Sequence, residues 1–180
     1  MFEGLAGKKV RLRPFAPGDI TEAYLGWLAD PVVTRYSNQR LRTHTRATCE
    51  AYLASFAGTA NLFVSIRRAD DDRAIGTMTA YRNLDHGTCD VGIMVGSRDC
   101  WGGGYGQEAW NLLTGWLLDP AGGGVRKLTA GCLSANGAMV KLMERSGMTF
   151  EAVRREQELL EGKPCDIVHY ARFADGRARG

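Results

Sequence analysis

Residues 91–113 read VGIMVGSRDCWGGGYGQEAWNLL, and this stretch decides the fold. Val91 to Val95 is the end of an apolar strand. It runs into a loop in which Gly102, Gly103, Gly104 and Gly106 crowd around Trp101 and Tyr105. Beyond the loop Tyr105, Ala109, Leu112, Leu113, Trp116 and Leu117 recur with a 3.6-residue period, the mark of a helix with one buried face. The first N–H groups of a helix have no partner within it, and the helix dipole adds partial positive charge there. Glycine removes the Cβ that would hold a phosphate away from the backbone. Trp101-Gly102-Gly103-Gly104-Tyr105-Gly106 is therefore expected to cradle a diphosphate. A surface turn ahead of a core helix is the plainer alternative, because glycine clusters also punctuate loops.

Gly104-x-Gly106-x-x-Ala109 matches a relaxed dinucleotide fingerprint. Three features oppose a nicotinamide or flavin site. The loop between strand and glycines is too long for a tight turn. The next strand ends in Leu133-Ser134-Ala135, with no acidic residue to hold a ribose, and too few elements follow to complete a doubly wound sheet. A nucleoside-triphosphate loop is excluded, since no Gly-Lys-Ser/Thr follows the glycines.

Working outward, Lys8 to Pro14 alternates apolar and basic residues as a half-buried strand does. Pro17-Gly18-Asp19 opens a helix with Ile20, Tyr24, Trp27 and Leu28 on one face, ended by Asp30-Pro31. Thr45 caps a second helix expected from Arg46 to Ala57. Strands Leu62–Arg67, Ala74–Tyr81 and Thr88–Val95 form an antiparallel meander, turned at Asp70-Asp71-Asp72 and Asp85-His86-Gly87. After the central helix come a strand from Val125 to Leu133, a helix from about Ala135 to Ser146 stopped by Gly147, and a hairpin of Thr149–Leu159 and Cys165–Phe173. The expectation is one α/β (α+β) domain over residues 1–180, with its core at roughly 8–173. Its sheet is mixed but mostly antiparallel and twisted, with about seven strands, splayed at the centre, and about four helices.

Bulk properties narrow the class. The chain has 180 residues, a net charge of +3, and 24% charged residues, which suits one soluble domain. Basic residues are scattered rather than grouped, so no nucleic-acid partner is expected. Five cysteines in irregular spacing and three histidines imply neither disulfides nor a metal site. The opening MFEGLAGKKVRL has no long apolar run, so a cytoplasmic protein without membrane contact is expected, and the closing ADGRARG reads as a frayed tail.

The string Trp101-Gly-Gly-Gly-Tyr-Gly-Gln-Glu-Ala109 resembles the acetyl-CoA pyrophosphate loop of the GNAT superfamily of N-acetyltransferases, particularly its RimJ/RimL-like branch. Further likenesses follow in order: Arg11-Leu12-Arg13-Pro14, Ile75-Gly76, Asp90-Val91-Gly92-Ile93, Asn136, Gly147-Met148, and Gly162 with Asp166. The resemblance implies acetyl-CoA as co-substrate, no metal, and direct attack by an amine in a ternary complex. Backbone amides of Gly102, Gly103, Gly104, Tyr105 and Gly106, beside Trp101, would hold the pyrophosphate. Ile93 to Val95 would pair with the pantetheine arm, and Asn136 would bond it or a nearby backbone group. Asn136 reads equally well as a polar residue favoured at a helix start.

The sequence also departs from that pattern. Gly103 replaces a common Lys, which removes one positive charge, and Met139 replaces a frequent Ser. Met143 stands where some relatives carry a tyrosine acid. An attacking amine must lose a proton, and Asp90 on the thioester-presenting strand is the first candidate base. Glu156 is the second and His44 a third, while Cys100 reads as a bland loop thiol. The resemblance places the acceptor near the first two helices, with Trp27, Tyr36, Gln39, Arg40 and His44 as candidate pocket residues. The acceptor is expected to be a small amine such as a nucleotide-linked amino sugar. The alternatives are a peptide N-terminus, as in ribosomal-protein acetyltransferases, and a non-catalytic acyl-CoA-binding module. A homodimer is compatible with either enzyme reading.

Overall fold

Alternation in the first long strand carries through to burial: in VRLRP, Val10 and Leu12 are buried while Arg11 is exposed. The computed structural model describes residues 2–174, so Asp175–Gly180 of the expected tail lie outside the described residues. Eight strands form one sheet: β1 (Leu5–Ala6), β2 (Val10–Pro14), β3 (Leu62–Arg68), β4 (Ala74–Asn83), β5 (Thr88–Val95), β6 (Lys127–Leu133), β7 (Thr149–Leu160) and β8 (Lys163–Phe173). Their order across the sheet is β1-β2-β3-β4-β5-β6-β8-β7. Every neighbouring pair is antiparallel except β5 with β6.

That exception shapes the molecule. β5 and β6 pair in parallel only at Thr88↔Lys127, Cys89↔Leu128 and Asp90↔Thr129. β6 then stays paired with β8 from Lys127 to Leu133, while β5 follows β4 to Val95. The two central strands therefore part after Asp90, and the edge of β5 from Val91 to Val95 has no strand partner.

Helices cover both faces. α4 (Tyr105–Leu118) lays Trp110, Leu113 and Leu117 against Val10, Leu12, Ile66, Ile75 and Leu128, and α5 (Gly137–Arg145) adds Met143; all are essentially inaccessible to water. On the other face α1 (Glu22–Ala29), α2 (Pro31–Thr34) and α3 (Arg46–Ala54) enclose an aromatic cluster built on Phe15, Tyr24 and Phe63. The Phe15 and Phe63 rings stack with centroids 4.2 Å apart.

Several boundaries differ from the expectation. The two-residue β1 is held by pairing Leu5↔Leu12, a contact too short to leave a periodic signal. The expected first helix is a 3-10 turn (Pro17–Asp19) followed by α1, whose cap Thr21 accepts from the Tyr24 N–H at 3.2 Å. Asp30-Pro31 ends α1 but also begins α2: Asp30 Oδ1 accepts from the Val32 N–H at 2.8 Å, and proline suits the first helical position. α3 stops at Ala54 rather than Ala57, where Ser55 Oγ turns back to the Tyr52 carbonyl at 2.6 Å.

One buried charge ties the second helical layer to the sheet. Asp19, 5% exposed, takes both Arg13 Nη atoms (2.8 and 2.7 Å), the Arg67 Nη1 (3.2 Å) and the Ala16 N–H (2.8 Å). Removing the carboxylate leaves two guanidinium groups without their shared partner. Arg13 is partly solvated and Arg67 keeps Asp72 at 3.0 Å, so Asp19→Ala is expected to lower unfolding free energy by about 1.5–3 kcal/mol, the range for hydrogen bonds to a charged group. Urea denaturation with an unchanged slope is the check.

Candidate active site

The glycine loop is held by its ends. A 3-10 turn (Arg98–Cys100) follows β5, and the Trp101 indole Nε1 donates to the Val95 carbonyl at 2.8 Å, pinning the loop to the last residue of the strand. Gly102 (φ +74°) and Gly104 (φ +81°) adopt the left-handed conformation, and Gly104 is the residue that starts α4. Among the described residues the N–H groups of Gly102, Gly104, Tyr105, Gly106 and Gln107 have no backbone acceptor. They form an anion-seeking concavity at the start of the helix. A Cβ on Gly106 would lie 3.1 Å from Val95 Cγ2, so this glycine lets the helix start sit directly against the open edge of β5.

A cation completes this cradle, and it comes from elsewhere in the chain. Lys9 Nζ donates to the Gly103 carbonyl at 2.7 Å and lies 5.8 Å from the Tyr105 ring centroid. Its position follows from Glu108 in the first turn of α4. That carboxylate accepts the backbone N–H groups of Lys8 (2.6 Å) and Lys9 (2.7 Å) and so binds the β1–β2 turn to the helix. Lys9 thus restores a positive charge where Gly103 lacks one. The sequence reading saw Lys9 only as a strand residue, because its partners lie 94 and 99 positions away. Around the loop, the Arg98 guanidinium lies 6.0 Å from the Trp101 ring centroid and Arg73 binds Asp99 at 2.5 Å. Burial pushes the Cys100 thiol up, so it is not an activated nucleophile.

The opposite sheet face carries a cleft of about 280 Å³. Strand register builds its floor: Thr77↔Met94, Thr79↔Gly92 and Tyr81↔Asp90 place these side chains on one face. Tyr24, Leu28, Tyr52 and Phe63 form walls, and the Tyr52 and Tyr81 hydroxyls meet at 2.7 Å on the rim. Asp90 stands where β5 and β6 part, and accepts from Thr129 Oγ1 at 2.8 Å. Solvent reaches it, yet the surrounding walls desolvate it enough to raise its pKa; the Thr129 hydrogen bond and His169 pull the other way. Burial likewise raises the Tyr24 and Tyr52 hydroxyls, so both stay protonated at neutral pH.

The other expected residues are distributed as follows. Ile93 and Val95 lie on the free edge of β5 and pack toward α4. Asn136 caps α5, its Oδ1 accepting from the Met139 N–H at 3.2 Å. Met143 is fully buried in the core, and its thioether has no proton to give. Trp27 lies flat on the backbone after β5: a Cβ on Gly96 would fall 2.1 Å from its ring. Gln39 lines the cleft. Arg40 does not: its guanidinium donates to the carbonyls of Ser37 (2.7 Å) and Leu159 (2.8 Å). His44 Nε2 is bonded to the Gln39 carbonyl at 3.0 Å, and Tyr36 packs under Arg35. Glu156 is exposed on a bulge of β7, with φ +49° and its N–H given to Asp166 Oδ1 at 2.8 Å. Tyr24, Tyr52, Thr77 and Thr79 are cleft residues that the sequence reading missed, since each looks like an ordinary core or strand position.

Among the described residues, no three His, Cys, Asp or Glu side chains group as a metal site, and no helix is long and apolar enough to cross a membrane.

Comparison with known proteins agrees with this geometry. A family model described as "Acetyltransferase (GNAT) domain" matches residues 9–149. No curated protein sequence matches. Among solved structures, a GNAT-family acetyltransferase from Bacillus anthracis superposes with a TM-score of 0.80 at 17% identity, covering 96% of this chain and 99% of that one. The ribosomal-protein-S5-alanine acetyltransferase from Vibrio fischeri gives 0.81 at 14% identity, covering 96% and 97%. RimL, a ribosomal L7/L12 alpha-N-protein acetyltransferase solved with coenzyme A, gives 0.82 at 14% identity, covering 97% and 100%. At these identities the likeness is one of fold.

The raised pKa of Asp90 has a consequence for stability. The folded protein holds this proton above the usual carboxylate value of 3.8, where the unfolded chain has lost it. The contribution of Asp90 to stability is therefore intact below that value and lost as pH rises through the folded-state pKa. Asp90→Asn, which cannot ionise, is expected to gain on the wild type between pH 3.5 and 7 in urea titrations. A gap that stays constant with pH contradicts the assignment.

Proposed function

Because the chain belongs to the GNAT acetyltransferase family, we propose that it transfers the acetyl group of acetyl-CoA to a small primary amine, with Asp90 as the base. The observation that carries this reading is the alignment of two features across the parted strands. Unpaired N–H groups at the start of α4 stand on one side, and a carboxylate with a raised pKa stands at the fork on the other.

The cradle suits the co-substrate on its own chemistry. Gly102 to Gly106 offer amides and no side chains except that of Tyr105, and Lys9 adds an ammonium group. These hold the pyrophosphate in our reading, while the partnerless edge at Ile93 to Val95 pairs with the pantetheine amides. Asn136, with Oδ1 occupied by its capping bond, has Nδ2 available to the same arm. When bound, acetyl-CoA supplies the activated thioester. The chain's own task is to deprotonate the amine, and a carboxylate with raised pKa is a better proton acceptor near neutrality than an ordinary one. Glu156 is less well placed, lying exposed on the hairpin bulge. The Trp-Gly-x-Gly-Tyr loop leads us to place the chain near the RimJ/RimL-like branch.

A nucleotide-linked amino sugar is poorly supported as acceptor, because Arg40, the cation expected to meet its phosphates, is bonded away from the cleft. Acetyl-CoA at 100 times its Kd is expected to add about 2.7 kcal/mol of stability, read as a melting shift that NADH does not give. Gly104→Glu abolishes the shift. Lys9→Ala weakens the affinity about tenfold, the loss of one charge-assisted contact. Asp90→Asn keeps the shift and loses about 100-fold or more in kcat. Tight binding with no turnover on any amine indicates an acyl-CoA-binding module instead.

A further inference from the structure

The acceptor cleft is selective in its charge as well as its shape. None of the described residues that line it is Asp, Glu, Lys, Arg or His. Its walls are the rings of Tyr24, Tyr52 and Phe63, and its floor presents Thr77 and Thr79. Among the described residues neither threonine hydroxyl, nor that of Tyr24, has a hydrogen-bond partner, so three neutral polar groups face a ligand. Three of the cations nearby are committed elsewhere: Arg40 to the Leu159 carbonyl, Arg35 to Glu161 at 2.9 Å, and the His44 ring to the Gln39 carbonyl. Arg42, exposed to solvent, acts on the Tyr52 hydroxyl through space but does not line the cleft. Asp90 is registered next to the cleft, directly across from Tyr81.

We propose that the acceptor is a small primary amine whose body carries no anionic group. Its apolar or ring face lies against Tyr24, Tyr52 and Phe63, and its neutral polar groups meet Thr77 and Thr79. This deepens the acetyltransferase reading and rests on it. An anion entering the cleft gives up hydration and meets no cation among the described lining residues, while Arg42 stays outside them in solvent. A protonated amine finds aromatic faces and then the Asp90 carboxylate. At about 280 Å³ the cleft lies at the small end of ligand sites, which run from about 300 to 1,000 Å³. The hydrogen bond between Tyr52 and Tyr81 crosses its rim, and the latched loop carrying Ser37 and Gln39 borders it, an arrangement that favours a compact molecule over an extended peptide.

The test uses matched pairs that differ by one anion: phenethylamine against phenylalanine, and glucosamine against glucosamine 6-phosphate. A peptide with a free N-terminus is the third arm. Acetyl transfer is followed by thiol release, and binding of each amine by its melting shift in the presence of CoA. The uncharged-bodied member of each pair is expected to lead by about tenfold or more in kcat/KM. Gln39→Arg, which places a cation on the rim, is expected to narrow or reverse that order. A wild-type preference for the anionic members, or a peptide outranking all four, overturns the proposal. So does the absence of both turnover and binding by any small amine while acetyl-CoA still shifts the melting temperature. Loss of the acetyl-CoA shift itself counts against the acetyltransferase reading instead.

Discussion

The parting of two parallel strands after only three paired residues is the constraint on which the rest of the structure depends. β6 keeps its pairing with β8 along its whole length. β5 keeps its pairing with β4 to Val95, so the two diverge with their respective neighbours. The backbone groups of β5 facing the gap are left without a strand, a condition a buried sheet does not tolerate unless something else fills the role. The start of α4 comes up against this same edge, with Gly106 allowing close approach, so one gap gathers an unpaired strand edge and an unpaired helix start. Glu108 then fixes the distant β1–β2 turn to that helix and brings Lys9 with it.

The sheet separates two kinds of electrostatics. At the start of α4 the helix dipole and Lys9 supply positive charge, while Arg73 and Arg98 close by are paired with Asp99 and Asp30. On the other face the cleft is lined without charge, and its polar groups are hydroxyls and an amide. Asp90 sits at the seam, where its strand neighbours change from β6 to none. Charge is therefore concentrated at the helix start and absent from the described lining of the cleft.

What was legible in the sequence was local. The glycine loop, the amphipathic period of α4 and the alternation of β2 each occupy a few consecutive residues, and the strands of the meander were placed within two residues of their observed ends. The splay at Ile93 to Val95 came from family resemblance rather than from periodicity. What escaped reading was long-range. Lys9 joins the loop through Glu108, and nothing near either residue announces the pairing. Arg40 was expected near the acceptor because the family resemblance places the acceptor beside its loop, but its partner is a carbonyl 119 residues later. Tyr24 and Tyr52 fit helical apolar stripes and do help form the second core; only the fold shows that the same side chains also reach a cleft.

The contacts between the loop before α3 and the tip of the β7–β8 hairpin bear on how the enzyme is made. Arg35 pairs with Glu161, Asn38 with Glu158, and Arg40 with the Leu159 carbonyl, across separations of 126, 120 and 119 residues. A ribosome adding roughly 5–20 residues per second takes about 6–25 s to cover such a span. Through that interval the loop that borders the cleft lacks its anchor on the hairpin and keeps only its local bonds. The glycine loop and the start of α4 are synthesised well before the chain completes the contacts that fix the cleft's border.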